Sequence, residues 1–150
     1  METIMGFLLL EILLGLFVGM MMTMQGIINT ALASKVGTYG SILILTIVNL
    51  LLVGFIVLVF PKSISLQNLP GLNKWYLYLG GVLGIFILTL MISILPRIGA
   101  TLGFMYIIIG QLVAASLVDH FGLLGMSKRP ITITNIVGTI ILLFGAYLLT

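Results

Sequence analysis

The chain predicts an all-α integral membrane protein with five transmembrane helices, and three observations carry that reading. Of its 150 residues, 61% are hydrophobic and 6% charged, and the mean hydropathy is +1.39, values far from those of a water-soluble domain. Apolar stretches near 4–32, 40–60, 75–95, 98–118 and 132–149 each approach the roughly 20 residues that cross about 30 Å of hydrocarbon at about 1.5 Å per residue. The prolines and all six basic residues fall in the connections between them. No composition shift or low-complexity linker divides residues 1–150, which read as a single five-helix domain with no evident internal repeat.

The first span ends where Ser34, Lys35 and Gly37 interrupt the apolar run, and the second ends at Pro61-Lys62. Residues 61–74 form the longest connection before the third span, and their Ile64, Leu66, Leu69 and Leu72 predict a segment lying on the membrane surface. Trp75, Tyr76 and Tyr78 mark the headgroup level at the start of the third span. Leu95-Pro96-Arg97-Ile98-Gly99 predicts a tight helical hairpin with antiparallel neighbours, because proline and glycine both punctuate helices. Asp119 to Pro130, with Gly122, Gly125, Lys128 and Arg129, reads as a short polar turn before the fifth span.

An odd number of spans places the termini on opposite sides. Lys62, Lys74, Lys128 and Arg129 share the amino-terminal side against Lys35 and Arg97 on the other, so the positive-inside rule favours a cytoplasmic amino terminus by four to two. So small a bias allows insertion in both orientations. Ala31-Leu32-Ala33 resembles a signal-peptidase site, but the preceding segment carries Glu2 and no Lys or Arg, and its apolar run exceeds a signal core. Retention of the first span is expected.

The composition removes several function classes. With no cysteine, thiolate nucleophiles, disulfides and Cys-type metal sites are excluded. His120 and Asp119 have only Glu2 and Glu11 as further carboxylate company, which makes no metal site, and no acid-base pair for an enzyme assembles. The six basic residues are dispersed, so the net charge of +3 does not point to nucleic acid. No cofactor is implied.

Polar residues inside the spans are the candidates for function, because each costs free energy in hydrocarbon unless partnered. Glu11, Gly15, Val18, Met22, Gln25 and Asn29 follow alternating steps of four and three residues, which keeps them on one helical stripe. Gln25 and Asn29 serve either as substrate hydrogen-bonders or as bonds to neighbouring helices, worth on the order of 0.6–2 kcal/mol each. Glu11 is either a proton- or cation-coupling group or a carboxylate reaching the near interface. Asn49 reads as a bond between helices, and Tyr106 with Gln111 as an aromatic wall and an amide for an organic substrate. Gly80 and Gly84, then Gly138 and Gly145, read first as helix-packing sites. Arg97, Asp119 and His120 are either gating or ion-handling groups or, the reading their positions favour, solvated interface residues.

The segments Gln25-Gly26-Ile27-Ile28-Asn29-Thr30-Ala31-Leu32, Leu95-Pro96-Arg97-Ile98-Gly99-Ala100, Gly110-Gln111-Leu112 and Asp119-His120-Phe121-Gly122-Leu123, with Arg129-Pro130 and Gly138, together resemble the YdcZ-like family of the bacterial drug/metabolite transporter superfamily. The resemblance implies a five-helix half-transporter of the cytoplasmic membrane, one half of an inverted-repeat assembly. Its expected partner is an antiparallel copy of itself or a paralogous subunit. It further implies a cavity to which the first, third and fourth helices contribute and a fifth helix that packs between halves. Glu11 lies outside the resembling motifs. The expected activity is transport of a small organic metabolite or amphipathic cation by alternating access, with Gln25, Asn29, Tyr106 and Gln111 at the substrate and Glu11 as coupling group. The rival is a structural or accessory membrane subunit without its own translocation path. A channel fits less well, because neither a ring of charge nor a filter-like loop is present.

Overall fold

A computed structural model describes residues 2–148, without the side chains of residues 2–7, 63 and 66. Five α-helices run in chain order: α1 Glu2–Val36, α2 Thr38–Val59, α3 Leu79–Ile98, α4 Ala100–Phe121 and α5 Ile133–Tyr147. The described residues contain no strand. The chain divides into two compact units, Met1–Arg97 and Ile98–Thr150.

In the first unit α1 has 35 residues, about 52 Å of helix. It passes the predicted end at residue 32, because Ser34 satisfies its hydroxyl on the Ala31 carbonyl (2.7 Å) and so does not interrupt the helix. A single residue, Gly37, separates α1 from α2. Its φ of 79° and ψ of 162° lie in a region that L side chains rarely enter. The corner still satisfies its backbone, since the Gly37 N–H donates to Ala33 (2.8 Å) and the Gly37 carbonyl accepts from Ser41 (2.9 Å).

Beyond that corner the two helices meet. Ser41 is completely buried, and its hydroxyl donates to the backbone carbonyl of Asn29 across the seam (3.0 Å). Gly26, Asn29 and Ile42 are also buried, and a serine or glycine at such a seam lets membrane helices approach closely. α2 ends at Phe60 before Pro61, whose ring cannot continue the helix.

Residues 61–78 carry three short 3₁₀ turns, the last running Leu72–Tyr78 with a kink at Lys74. The Tyr78 hydroxyl donates to the Pro70 carbonyl (2.6 Å), and Asn68 Nδ2 donates to the Ser65 hydroxyl (2.9 Å). The predicted third span from residue 75 therefore opens with a 3₁₀ segment, and α-helix begins at Leu79. α3 buries Met91, Ile92 and Leu95 and carries Pro96 in its last turn.

The second unit holds α4 and α5. α4 starts after Gly99, whose φ of 82° and ψ of 161° almost repeat those of Gly37. It ends at Gly122, which adopts the left-handed conformation that closes many helices. The lead-in to α5 is latched to this end. The Arg129 N–H donates to the Asp119 carbonyl (2.7 Å), and the Ile131 N–H donates to His120 Nδ1 (3.1 Å). Leu124 takes a φ of 56° within the turn. Thr132 caps α5 in a reciprocal arrangement with Asn135. With 15 residues, α5 rises only about 22 Å, less than the hydrocarbon thickness.

Outside these contacts nearly every large apolar side chain is exposed. Four helical segments are long and apolar enough to cross a membrane, and Ile133–Tyr147 is a shorter apolar helix. The exposed aliphatic surface is what lipid, or another apolar chain, must cover.

Two predictions test these contacts. Ser41→Ala loses one hydrogen bond and is expected to lower unfolding stability in detergent by about 1 kcal/mol; Ser41→Leu, overfilling a fully buried seam, is expected to lose more, roughly 1–3 kcal/mol. His120→Ala removes the acceptor for the Ile131 N–H. Tryptic cleavage after Lys128 is then expected to accelerate about fivefold, the equivalent of roughly 1 kcal/mol.

A candidate substrate groove on the first two helices

Asn29 and Gln25, one turn apart on α1, line an open groove of about 490 Å³ with Phe17, Met20, Met21, Met24, Ile28 and, from α2, Leu45. Three methionines give this wall unbranched, polarizable side chains that adapt to an irregular apolar body. No charged residue lines it.

Asn29 is the unusual member. Its side chain is 5% exposed, and among the described residues its Nδ2 is the only buried side-chain polar atom without a hydrogen-bond partner. Its backbone carbonyl, by contrast, is held by Ser41. A buried donor left unmade costs about 1–3 kcal/mol, and native structures keep few of them. Gln25 is exposed on the groove, and no partner holds its amide among the described residues.

The other candidates lie elsewhere. Glu11 is exposed on α1, 18 residues and so about 27 Å along the helix from Asn29. It is outside the lining of the groove and forms no ion pair among the described residues. Tyr106, half exposed, and Gln111, exposed, are both on α4 in the second unit. Five residues apart, they project about 140° from one another, so they do not share one face of α4.

Asn49, expected to bond a neighbouring helix, is exposed on α2 without a partner among the described residues. A Cβ added at Gly80, Gly84, Gly110, Gly138 or Gly145 would meet nothing within 4 Å. The helix-packing role expected of Gly80, Gly84, Gly138 and Gly145 therefore finds no contact among the described residues. Among the described residues there is no cluster of three or more His, Asp or Glu side chains suited to a metal ion. Ser41, the residue that fastens the seam under Asn29, had only its place four residues after a glycine corner to single it out.

No curated protein and no solved structure matches the chain. The family model DMT_YdcZ, described as "Putative inner membrane exporter, YdcZ", matches residues 10–148. With nearly the whole chain covered, including the α1 groove, both glycine corners and the α4–α5 latch, the chain belongs to the YdcZ-like family of the drug/metabolite transporter superfamily.

Proposed function

We propose that this chain is a subunit of an inner membrane exporter that moves a small organic metabolite by alternating access, and that it acts paired in inverted orientation with a second copy or a paralogue. The observation that carries this reading is Asn29: a buried amide donor without a partner, on the wall of an adaptable apolar groove. Local rules of satisfaction tend to fail at functional sites, where the missing partner is supplied by something that comes and goes. Opening of the α1–α2 seam brings Nδ2 within reach of an acceptor on the substrate, while Gln25 offers a second amide on the exposed side.

Five helices are a natural half of such a machine, since two inverted copies present a site that opens to either side through related motions. The uncovered glycines of α3 and α5 and the exposed aliphatic faces support a pairing that buries them against another chain. The groove lacks a carboxylate, so it favours a neutral, acceptor-bearing molecule over an amphipathic cation. Glu11, outside the groove's lining and about 27 Å along α1 from Asn29, serves coupling only through a conformational change or the second subunit.

The discriminating variant is Asn29→Ala. If the amide were interhelical glue, its removal would cost stability. Because Nδ2 has no partner, the variant is expected to unfold at the same or a higher temperature than the parent, while export falls at least tenfold in cells loaded with a panel of neutral, acidic and cationic organic compounds. Normal export by this variant removes Asn29 from the site. Purified chain that moves none of the panel in liposomes, alone or with a paralogue, favours the accessory-subunit reading.

Gln25→Ala is expected to weaken export of some compounds and spare others. Gln25 bonds nothing among the described residues, so the variant's stability is expected to stay within about 0.5 kcal/mol of the parent.

A further inference from the structure

We infer that the second unit carries a binding site for a zwitterionic glycerophospholipid whose headgroup bears a primary ammonium. The inference is independent of the transport route and rests on two adjoining cavities at the end of α4. One, of about 300 Å³, is lined by Ser116, Asp119, Arg129, Pro130, Thr132, Asn135 and Ile131. The other, of about 210 Å³, is lined by aliphatic side chains of α4 and α5, among them Val113, Leu117, Ile136 and Ile140. Ser116, Ile131 and Asn135 belong to both. The polar cavity thus continues directly into an apolar one.

The charges in the polar cavity are arranged for an outside ligand. Asp119 and Arg129 line it together, yet neither side chain makes an ion pair among the described residues. Their backbones are what join, through the Arg129 N–H on the Asp119 carbonyl, and the His120 latch to Ile131 fixes the segment on the other side. Two opposite charges are therefore held on one cavity wall without neutralising each other. An ammonium donating to Asp119 and a phosphate accepting from Arg129 match that pattern, the latter in the paired geometry a guanidinium favours.

The residues shared by the two cavities add the next chemical group. Asn135 Oδ1 is occupied by the Thr132 N–H and hydroxyl, while its Nδ2 has no partner among the described residues. The Ser116 hydroxyl also has no partner among the described residues. Both donors stand where polar lining gives way to aliphatic, the level at which an ester carbonyl of a glycerophospholipid lies. Below them the aliphatic cavity takes the first part of an acyl chain. The site sits in the last turn of a 22-residue helix, which places it at the headgroup level of the bilayer.

The test is native mass spectrometry of the full chain in detergent, titrated in turn with dioleoyl phosphatidylethanolamine, phosphatidylcholine and phosphatidylglycerol. Phosphatidylethanolamine is expected to be retained about tenfold more than either other lipid, because choline has no N–H for Asp119 and glycerol no charge for it. Asp119→Asn, nearly isosteric, is expected to erase that preference, and Arg129→Ala to weaken retention of all three. Equal retention of the three lipids by the parent chain overturns the proposal without recourse to any variant. So does an unchanged preference in Asp119→Asn. Competition by glycerophosphoethanolamine as effective as by the intact lipid would also overturn it, since the site would then serve a soluble zwitterion.

Discussion

Hydrocarbon offers no partner to an unpaired backbone group, and that one constraint organises the whole chain. It makes each long apolar run a helix and confines the longer irregular connections to residues 60–78 and 122–132. At Gly37 and Gly99 a single residue separates two helices, with nearly the same φ and ψ at both. At each, the N–H of the fourth residue onward returns to the glycine carbonyl, from Ser41 and Gly103 respectively. Burial then falls on the fourth and fifth residues after each glycine, Ser41 with Ile42 and Gly103 with Phe104. The same corner thus precedes the first buried residues of the next helix in both places.

Against that background, side-chain polarity becomes the informative variable. Thr23, Thr30, Thr46, Thr89, Ser93 and Thr139 all return their hydroxyls to carbonyls one turn back in their own helices, so they ask nothing of a neighbour. Asn29 cannot do this with its amide and is buried regardless. The cost of that donor, about 1–3 kcal/mol, stands out in a unit whose other buried polar side chain, Ser41, is satisfied. It is this contrast, rather than polarity alone, that separates Asn29 from Gln25, Asn49 and Gln111.

Much of the fold was legible because apolar length, glycine and proline are local signals. The five helices and both glycine corners lie within a few residues of where hydropathy and punctuation put them. The latch between His120 and Ile131 was not legible, since it depends on the path of residues 122–130 through Gly122, Leu124 and Gly125, each at positive φ. The site was legible only in part. Spacing alone puts Gln25 and Asn29 on one stripe, and spacing alone also puts Tyr106 and Gln111 on different faces of α4. The glycine patterns were ambiguous for a physical reason: a small residue permits a close approach without naming the approaching surface, and a Cβ at Gly80, Gly84, Gly138 or Gly145 meets nothing within 4 Å among the described residues.

The central claim is that this five-helix chain works against an inverted partner. It is tested most directly by topology and transport measured in the same cells, which express this chain as their sole family member. The chain has no native cysteine, so single cysteines report cleanly. Ser65 lies in the surface connection and Ser34 in the last turns of α1; both are exposed and on opposite sides by the span count, and Ser34 avoids the strained backbone of Gly37. With a membrane-impermeant thiol reagent, cells that export substrate are predicted to label at both positions in comparable amounts. Export from cells in which only one of the two positions labels would contradict the account.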